Sequence, residues 1–190
     1  MGLFDVISGK RKLKQPAPDR LFALSTAYVT LETELDIHST GVAGIVFQPL
    51  DTSDFNAIVK DMEEVVRGGA ADTGTTVDSQ DDSFGYRWML LRDEEFDDLV
   101  VGVNAVSTAL ESGGYGERVL CAVFAFQHAR GHPVYLIYNY KRGAFYPFVP
   151  ADGEQQRNNE RELKLKAQIG PELPMEPELE RWFPLWGIPI

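Results

Sequence analysis

The sequence is poor in the residue types that most often carry out chemistry. It contains one cysteine, Cys121, and three histidines, His38, His128 and His132. A single cysteine excludes an internal disulfide framework, and its position in an apolar run favours a small buried side chain over a reactive thiolate. The four-residue spacing of His128 and His132 occurs in helical zinc sites, but the residues between them predict a turn. No metal ion or other cofactor is therefore expected.

Motifs for nucleophilic catalysis and phosphate binding are also missing. The sequence has no Gly-x-Ser-x-Gly elbow. The glycines at Gly113, Gly114 and Gly116 follow a predicted helix and precede a predicted strand, which reverses the order found in a phosphate-binding loop. The acidic stretch Asp78–Asp82 lacks the residue order of an EF-hand. We therefore expect no catalytic residues and a protein that is not an enzyme.

Long apolar runs and an excess of basic residues are absent too. No apolar run reaches the roughly 18 residues of a transmembrane helix. The apolar stretch Leu3–Ile7 is interrupted by Asp5 and precedes basic residues, whereas a signal peptide has the opposite order. The sequence has 18 Lys and Arg residues and 29 Asp and Glu residues. The resulting formal net charge of -11 repels nucleic-acid phosphates. These features predict a cytoplasmic protein that does not bind nucleic acid.

The chain does contain enough apolar surface for one core. It has 190 residues, of which 44% are hydrophobic, and this length fits one domain with extensions. Residues 1–18 combine apolar and basic side chains with two prolines and predict a flexible leader. A single α+β domain is expected over residues 19–170. The proline-rich, apolar remainder, residues 171–190, is expected to dock on that domain.

Helices are predicted where apolar residues recur at three- or four-residue spacing. Capping residues indicate where helices begin, and glycines indicate where they end. The predicted helices run from Asp19 to Leu35, from Asp51 or Ser53 to Gly68, from Asp93 to Gly113 and from Asn159 to Ile169. Residues 70–83 are rich in Asp, Ser, Thr and Gly, and they predict a mobile acidic loop.

Strands are predicted where β-branched and aromatic residues run together. They cover residues 42–47, 86–91, 118–127, 134–140 and 144–149. The third and fourth runs are joined by a short turn containing Gly131 and predict a hairpin. Pro147 places the last strand at a sheet edge. The expected fold class is α+β, with helices packed on an antiparallel sheet.

The two ends of the chain carry the candidate contact residues. In the leader, apolar side chains beside a basic cluster suit an anionic membrane surface, and the candidate contacts are Leu3, Phe4, Val6, Ile7, Lys10, Arg11, Lys12 and Lys14. In the last residues, the candidates for contact with a protein partner are Trp182, Phe183 and Trp186. The favoured prediction is that these aromatic side chains are buried against the domain, and partner contact is the alternative.

Several segments resemble the PspA-associated protein B (PspAB) family. They are the Met-Gly-Leu-Phe-Asp leader with its Lys-Arg-Lys, Leu21–Ala27, Gly85–Leu91, Asn139–Pro150 and Trp182–Ile190. The family occurs in actinobacteria and archaea beside genes for the membrane-stress protein PspA and, often, a membrane zinc protease of the HtpX type. The resemblance supplies no catalytic residues that could be carried over to this sequence. The expected architecture is also similar to YbjN-like and secretion-chaperone-like domains, which bind proteins.

Three functions remain open at this point. The first is a non-catalytic adaptor of the PspA-linked envelope stress response, which binds PspA or another membrane-stress protein and is peripheral to the inner membrane face. The second is a small-ligand-binding protein or enzyme with a pocket built from dispersed residues, namely Arg87, Tyr138, Tyr140, Lys141 and Arg142. The third is a unit that forms homo-oligomers.

Overall fold

Among the described residues, six strands form one open antiparallel sheet, and four α-helices pack on it. The computed structural model describes residues 18–153 and 155–190. The elements are α1 (Pro18–Thr33), β1 (Ile37–Phe47), α2 (Ser53–Thr73), β2 (Thr76–Asp81), β3 (Arg87–Arg92), α3 (Phe96–Ser112), β4 (Val119–His128), β5 (Pro133–Asn139), β6 (Ala144–Phe148) and α4 (Asn159–Ile169). The strand order β2-β3-β1-β4-β5-β6 makes β2 and β6 the edges. The predicted α+β class with an antiparallel sheet is confirmed.

The sheet has two apolar faces because successive side chains of a strand point to opposite sides. The face beneath the helices includes Ile45, Phe47, Met89, Leu91, Phe124 and Leu136. The opposite face carries a second buried cluster, made of Val46, Trp88, Leu90, Val123, Ile137, Tyr146, Phe148 and Trp182. A sheet that is apolar on both faces needs a covering layer on each.

Most of the predicted elements are confirmed. Leu24 in α1 and Val103 in α3 are fully buried, as their apolar stripes predict. The helix α4 has the predicted limits. The strands β4 and β5 form the predicted hairpin, and Pro147 lies in the edge strand β6. A proline is tolerated there because an edge strand leaves part of its hydrogen-bonding capacity unused.

The predicted mobile loop over residues 70–83 is wrong. Helix α2 continues beyond its predicted end at Gly68, and β2 follows as a strand paired with β3. Cross-strand ion pairs support this pairing: Arg87 Nε donates to Asp81 Oδ1 at 2.7 Å, and Arg92 Nη1 donates to Asp78 Oδ2 at 3.3 Å. Polar composition suggested a loop, but pairing with a neighbouring strand decides the conformation of an edge segment.

Strand β1 is longer than predicted because a bulge interrupts its alternation. It begins at Ile37, and its register against β4 shifts between Ser39 and Val42. Gly41 lies within this irregularity with a φ of 73°. A bulge breaks the period of two that identifies a strand in a sequence, so the pattern predicts only the part of β1 that follows it.

The sequence predicted that helix α3 is capped by Asp93. In the structure the helix begins at Phe96. The Asp93 carboxylate instead accepts hydrogen bonds from the backbone N–H of Glu95 at 2.9 Å and from the hydroxyl of Thr75. The backbone N–H of Asp93 donates to the carbonyl of Gly41 at 3.0 Å. Asp93 therefore ties the entrance of α3 to the bulge in β1.

We expect Gly41→Ala to destabilise the protein, because an alanine Cβ there would lie 2.8 Å from the Asp93 carbonyl oxygen at a φ of +73°. Left-handed strain of about 1–2 kcal/mol would add to a collision with backbone, so the free energy of unfolding should fall by about 2–4 kcal/mol. Urea unfolding monitored by circular dichroism measures this loss.

Gly85→Ala is the matched control for the strain alone. Gly85 has a φ of +82°, and no described atom lies within 4 Å of a Cβ built there. Its substitution should cost only about 1–2 kcal/mol. Equal losses for the two variants would contradict the close approach of Asp93 to β1.

Candidate partner-binding site

The end of the chain covers the sheet face that the helices leave open. Trp182 is 4% exposed, and its ring stacks on Tyr146 with a centroid distance of 6.4 Å. Trp186 meets the Phe148 ring edge-on at 4.9 Å. The same cluster includes Leu185, Ile188 and Ile190. Residues 171–190, called the C-terminal segment below, therefore supply the second covering layer.

Polar contacts fix the orientation of Trp182. Its indole Nε1 donates to the carbonyl oxygen of Glu176 at 3.1 Å, and its own carbonyl accepts from Nη1 of Arg157. The Lys166 ammonium lies 5.4 Å from the indole centroid, within the range of a cation–π contact. A buried indole with its N–H satisfied can adopt few other positions.

Arg157 is held in turn by a buried carboxylate. Glu162 is 1% exposed and accepts from Nε of Arg157 at 2.9 Å and from the backbone N–H of Val149 at 2.9 Å. The Arg157 guanidinium also lies 5.8 Å from the centroid of the Phe148 ring. This chain of contacts joins α4 and the end of β6 to the C-terminal segment.

The C-terminal segment also closes one edge of the sheet. The backbone N–H of Phe145 donates to the carbonyl of Pro174, and the N–H of Glu176 donates to the carbonyl of Phe145, both at 2.8 Å. Met175 forms a parallel bridge with Phe145 between these two bonds. Exposed edges can recruit other strands, and here the β6 edge is already occupied.

Glu176 links the C-terminal segment to the turn between β5 and β6. Its side chain is 2% exposed and accepts from Nε of Arg142 at 2.9 Å and from the N–H of Glu178 at 3.1 Å. Burial raises the pKa of Glu176, but hydrogen bonds from Arg142 and Glu178, with the charges of Arg142 and Arg181, outweigh it and hold the pKa below 4.5. The fold therefore favours the ionised carboxylate.

The same segment presents apolar side chains to solvent. Phe183 is 59% exposed and Leu179 is 50% exposed, whereas Trp186 is half-buried. Phe183 directly follows the buried Trp182 in the chain. Of the three aromatic residues that the sequence offers for partner contact, the structure therefore buries the first and leaves the second accessible. No local pattern in the sequence distinguishes them.

The five residues of the alternative pocket do not come together. Arg87 lies on β3, three strand spacings or about 14 Å from β5. Tyr138 and Tyr140 pack edge-to-face inside the helix-covered core with centroids 5.0 Å apart, and burial raises the pKa of both hydroxyls. Lys141 and Arg142 are in the exposed turn after β5.

Cys121 and the three histidines are the remaining candidates for reactive side chains. Burial raises the pKa of Cys121 to about 12, which keeps it a thiol at neutral pH. His38 Nε2 lies 3.0 Å from a carboxylate oxygen of Asp36, and this hydrogen bond raises the pKa of the imidazole. His128 and His132 flank the turn between β4 and β5. Among the described residues, no group of three His, Cys, Asp or Glu side chains is placed to hold a metal ion.

The candidate membrane contacts lie outside the described residues. They are Leu3, Phe4, Val6, Ile7, Lys10, Arg11, Lys12 and Lys14. Within residues 18–153 and 155–190, no helix combines the length and the apolar character needed to cross a membrane.

Comparison with known proteins identifies the family. The model of the family described as PspA associated protein B matches residues 1–190, the whole chain. The chain belongs to this family. Its description associates members with PspA, and the resemblance noted in the sequence is confirmed. No curated protein and no solved structure matches the chain. The similarity of this PspA associated protein B member to YbjN-like and secretion-chaperone-like domains stays a prediction.

We expect Glu176→Gln to weaken folding in a pH-dependent way. Near pH 7 the loss should be about 2 kcal/mol, because a buried charge-assisted pair is broken. Since the folded state holds the pKa of Glu176 below 4.5, this stabilisation is present above pH 4.5 and declines as the pH falls through the folded pKa. Urea unfolding from pH 7 to pH 3 should show the two proteins converging.

Glu180→Gln is the matched control in the same segment. Glu180 is exposed and forms no hydrogen bond or ion pair with a described residue, so its replacement should leave the unfolding curve unchanged at each pH. A loss for Glu176→Gln that stays constant down to pH 3, or that grows there, would contradict the ionised pair.

Proposed function

We propose that this protein is a non-catalytic, cytoplasmic adaptor of the PspA-linked envelope stress response. It binds PspA, or another membrane-stress protein, near the inner membrane face. The observation that carries the proposal is the match of the whole chain to a family whose description records an association with PspA. The absence of a nucleophile, metal or phosphate-binding motif from the sequence supports binding over catalysis.

We propose that the partner contacts the exposed part of the C-terminal segment. Phe183 and Leu179 are the apolar side chains that this part offers, and Glu178, next to Leu179 in the chain, pairs with Arg142 and Arg181. An aromatic anchor inside a polar rim is the usual composition of a binding hot spot. Because Trp182 already fixes the backbone, little ordering of this surface would oppose association.

The leader would supply a second contact, with the membrane. Its four apolar candidates precede the basic residues Lys10, Arg11, Lys12 and Lys14, and each basic residue near an anionic surface contributes about 1 kcal/mol to binding. Together the two contacts would place the protein where PspA acts. A homo-oligomer is compatible with both contacts, and light scattering of the full chain would establish its size.

We expect Phe183→Ala to weaken binding to purified PspA about ten-fold or more, because an exposed aromatic anchor carries much of the free energy of a small interface. Phe84→Ala is the matched control: Phe84 is 79% exposed and lies in the turn between β2 and β3, at the opposite edge of the sheet. Pull-down followed by calorimetric titration measures both variants.

The possible outcomes test the choice of partner and the choice of contact surface separately. Loss of binding in Phe183→Ala but not in Phe84→Ala supports both parts of the proposal. If Phe183→Ala binds like the unchanged protein, the C-terminal contact is wrong. If the folded, unchanged protein does not bind PspA, the proposal that PspA is the partner is wrong.

For the leader, we expect the full chain to float with vesicles that contain phosphatidylglycerol. The double variant Lys10→Gln, Lys12→Gln should bind them about 30-fold more weakly, since two contacts of about 1 kcal/mol each are lost. Lys60→Gln with Lys141→Gln removes two exposed charges from the folded domain and is the matched control. Equal flotation of both double variants would exclude membrane contact through the leader.

A further inference from the structure

A groove of about 360 Å³ opens at the end of the sheet where β4 turns into β5. Helix α4, the end of α1 and the turn between β4 and β5 enclose it. Its floor is apolar and consists of buried side chains, including Ile37, Val134, Val149 and Leu165. Its rim is basic and carries Arg130, Arg161 and Lys164.

One wall of the groove is a single face of α4. Arg161, Lys164, Leu165 and Gln168 all line it, and their spacing of three, four and seven residues places them on the same side of a helix. Asn158 caps this helix by accepting from the backbone N–H of Arg161 at 3.1 Å. The two basic side chains therefore project from a fixed helical turn, beside the apolar floor.

The opposite wall is a turn that is tied to the rest of the fold. The backbone N–H of Ala129 donates to the carbonyl of Asp36 at 3.1 Å, and His128 N–H donates to the carbonyl of His132 at 3.0 Å. Nδ1 of His128 accepts from the N–H of Arg130 at 3.3 Å. This bond places the proton of a neutral His128 on Nε2, so the ring offers one further hydrogen-bond donor at the groove.

The charges of the rim are uncompensated. None of Arg130, Arg161 and Lys164 forms an ion pair with a described carboxylate, and Glu34 is the one acidic side chain among the described residues that line the groove. Elsewhere most described basic side chains are engaged, as in the pairs of Arg87 with Asp81 and of Arg142 with Glu176. Free cations gathered at one place on a chain with a net charge of -11 require an explanation other than solubility.

We propose that this groove binds an acidic, amphipathic segment of a partner protein. One apolar side chain of that segment would fill the floor, while its carboxylates would pair with Arg130, Arg161 and Lys164. Phe183 does not line the groove, and the inference does not depend on PspA being the partner.

The shape and charge of the groove favour this occupant over others. A membrane surface is flat, so its apolar interior would not reach the concave floor of the groove. A phosphate ion would pair with the rim but leave the apolar floor unfilled. The leader of the same chain carries Lys10, Arg11, Lys12 and Lys14, which the basic rim repels. An acidic segment with an apolar side chain satisfies both the rim and the floor.

Fluorescence anisotropy with a labelled peptide of about twelve residues, built from Glu with Leu at helical spacing, tests the proposal on the full chain. We expect Arg161→Gln with Lys164→Gln to weaken binding about ten-fold, since two partly exposed charge pairs are lost. Arg118→Gln with Lys141→Gln is the matched control, because these cations are also unpaired among the described residues but lie outside the groove. That control should bind the peptide like the unchanged protein.

Changes in the peptide test the floor and the rim without altering the fold. Replacing its Leu by Ser, or its Glu by Gln, should each lower the affinity, and added salt should weaken the acidic peptide. Equal binding of the Leu and Ser peptides would overturn the proposal. So would equal effects of the two double variants, or binding of phosphatidylglycerol vesicles through Arg161 and Lys164 without binding of the peptide.

Discussion

The structure depends on covering a sheet that is apolar on both faces. The four helices protect one face, α4 through Leu165 and Ile169, and the C-terminal segment with Trp182 protects the other. Burying a tryptophan side chain of about 200 Å² contributes on the order of 5 kcal/mol before entropic costs. The indole can take this position because Glu176, Arg157 and Lys166 satisfy the polar groups around it. The last part of the chain is therefore a layer of the core.

This arrangement connects stability to the proposed binding. Trp182 and Phe183 are neighbours in the chain, and the structure buries the first and exposes the second. Anchoring the first thus presents the second, while the Arg142, Glu176 and Glu178 contacts hold the surrounding backbone. The groove beside α4 is a second preorganised surface of opposite character, basic at the rim and apolar at the floor. The proposed adaptor role would use these two surfaces, which differ in chemistry.

Much of the fold was predictable because local patterns and tertiary packing agree in it. The apolar stripes of α1, α3 and α4 and the β4–β5 hairpin are examples. The failures lie where distant contacts override local preference: β2 is polar, yet Arg87 and Arg92 pair with it from β3, and the bulge at Gly41 conceals the start of β1. The sites were less predictable. Residues 130, 161 and 164 meet only after folding, and burial of Trp182 depends on Tyr146 and Arg157.

Amide hydrogen exchange of the free, full-length protein tests the central claim most directly, which is that the C-terminal segment is a structural layer. The amides of Phe145 and Glu176, bonded across the β6 edge, and the indole N–H of Trp182 should be protected to a degree comparable with amides in the β4–β5 hairpin. Exchange of Glu176 and Trp182 at the rate of an unstructured chain, while β4 and β5 stay protected, would contradict the account.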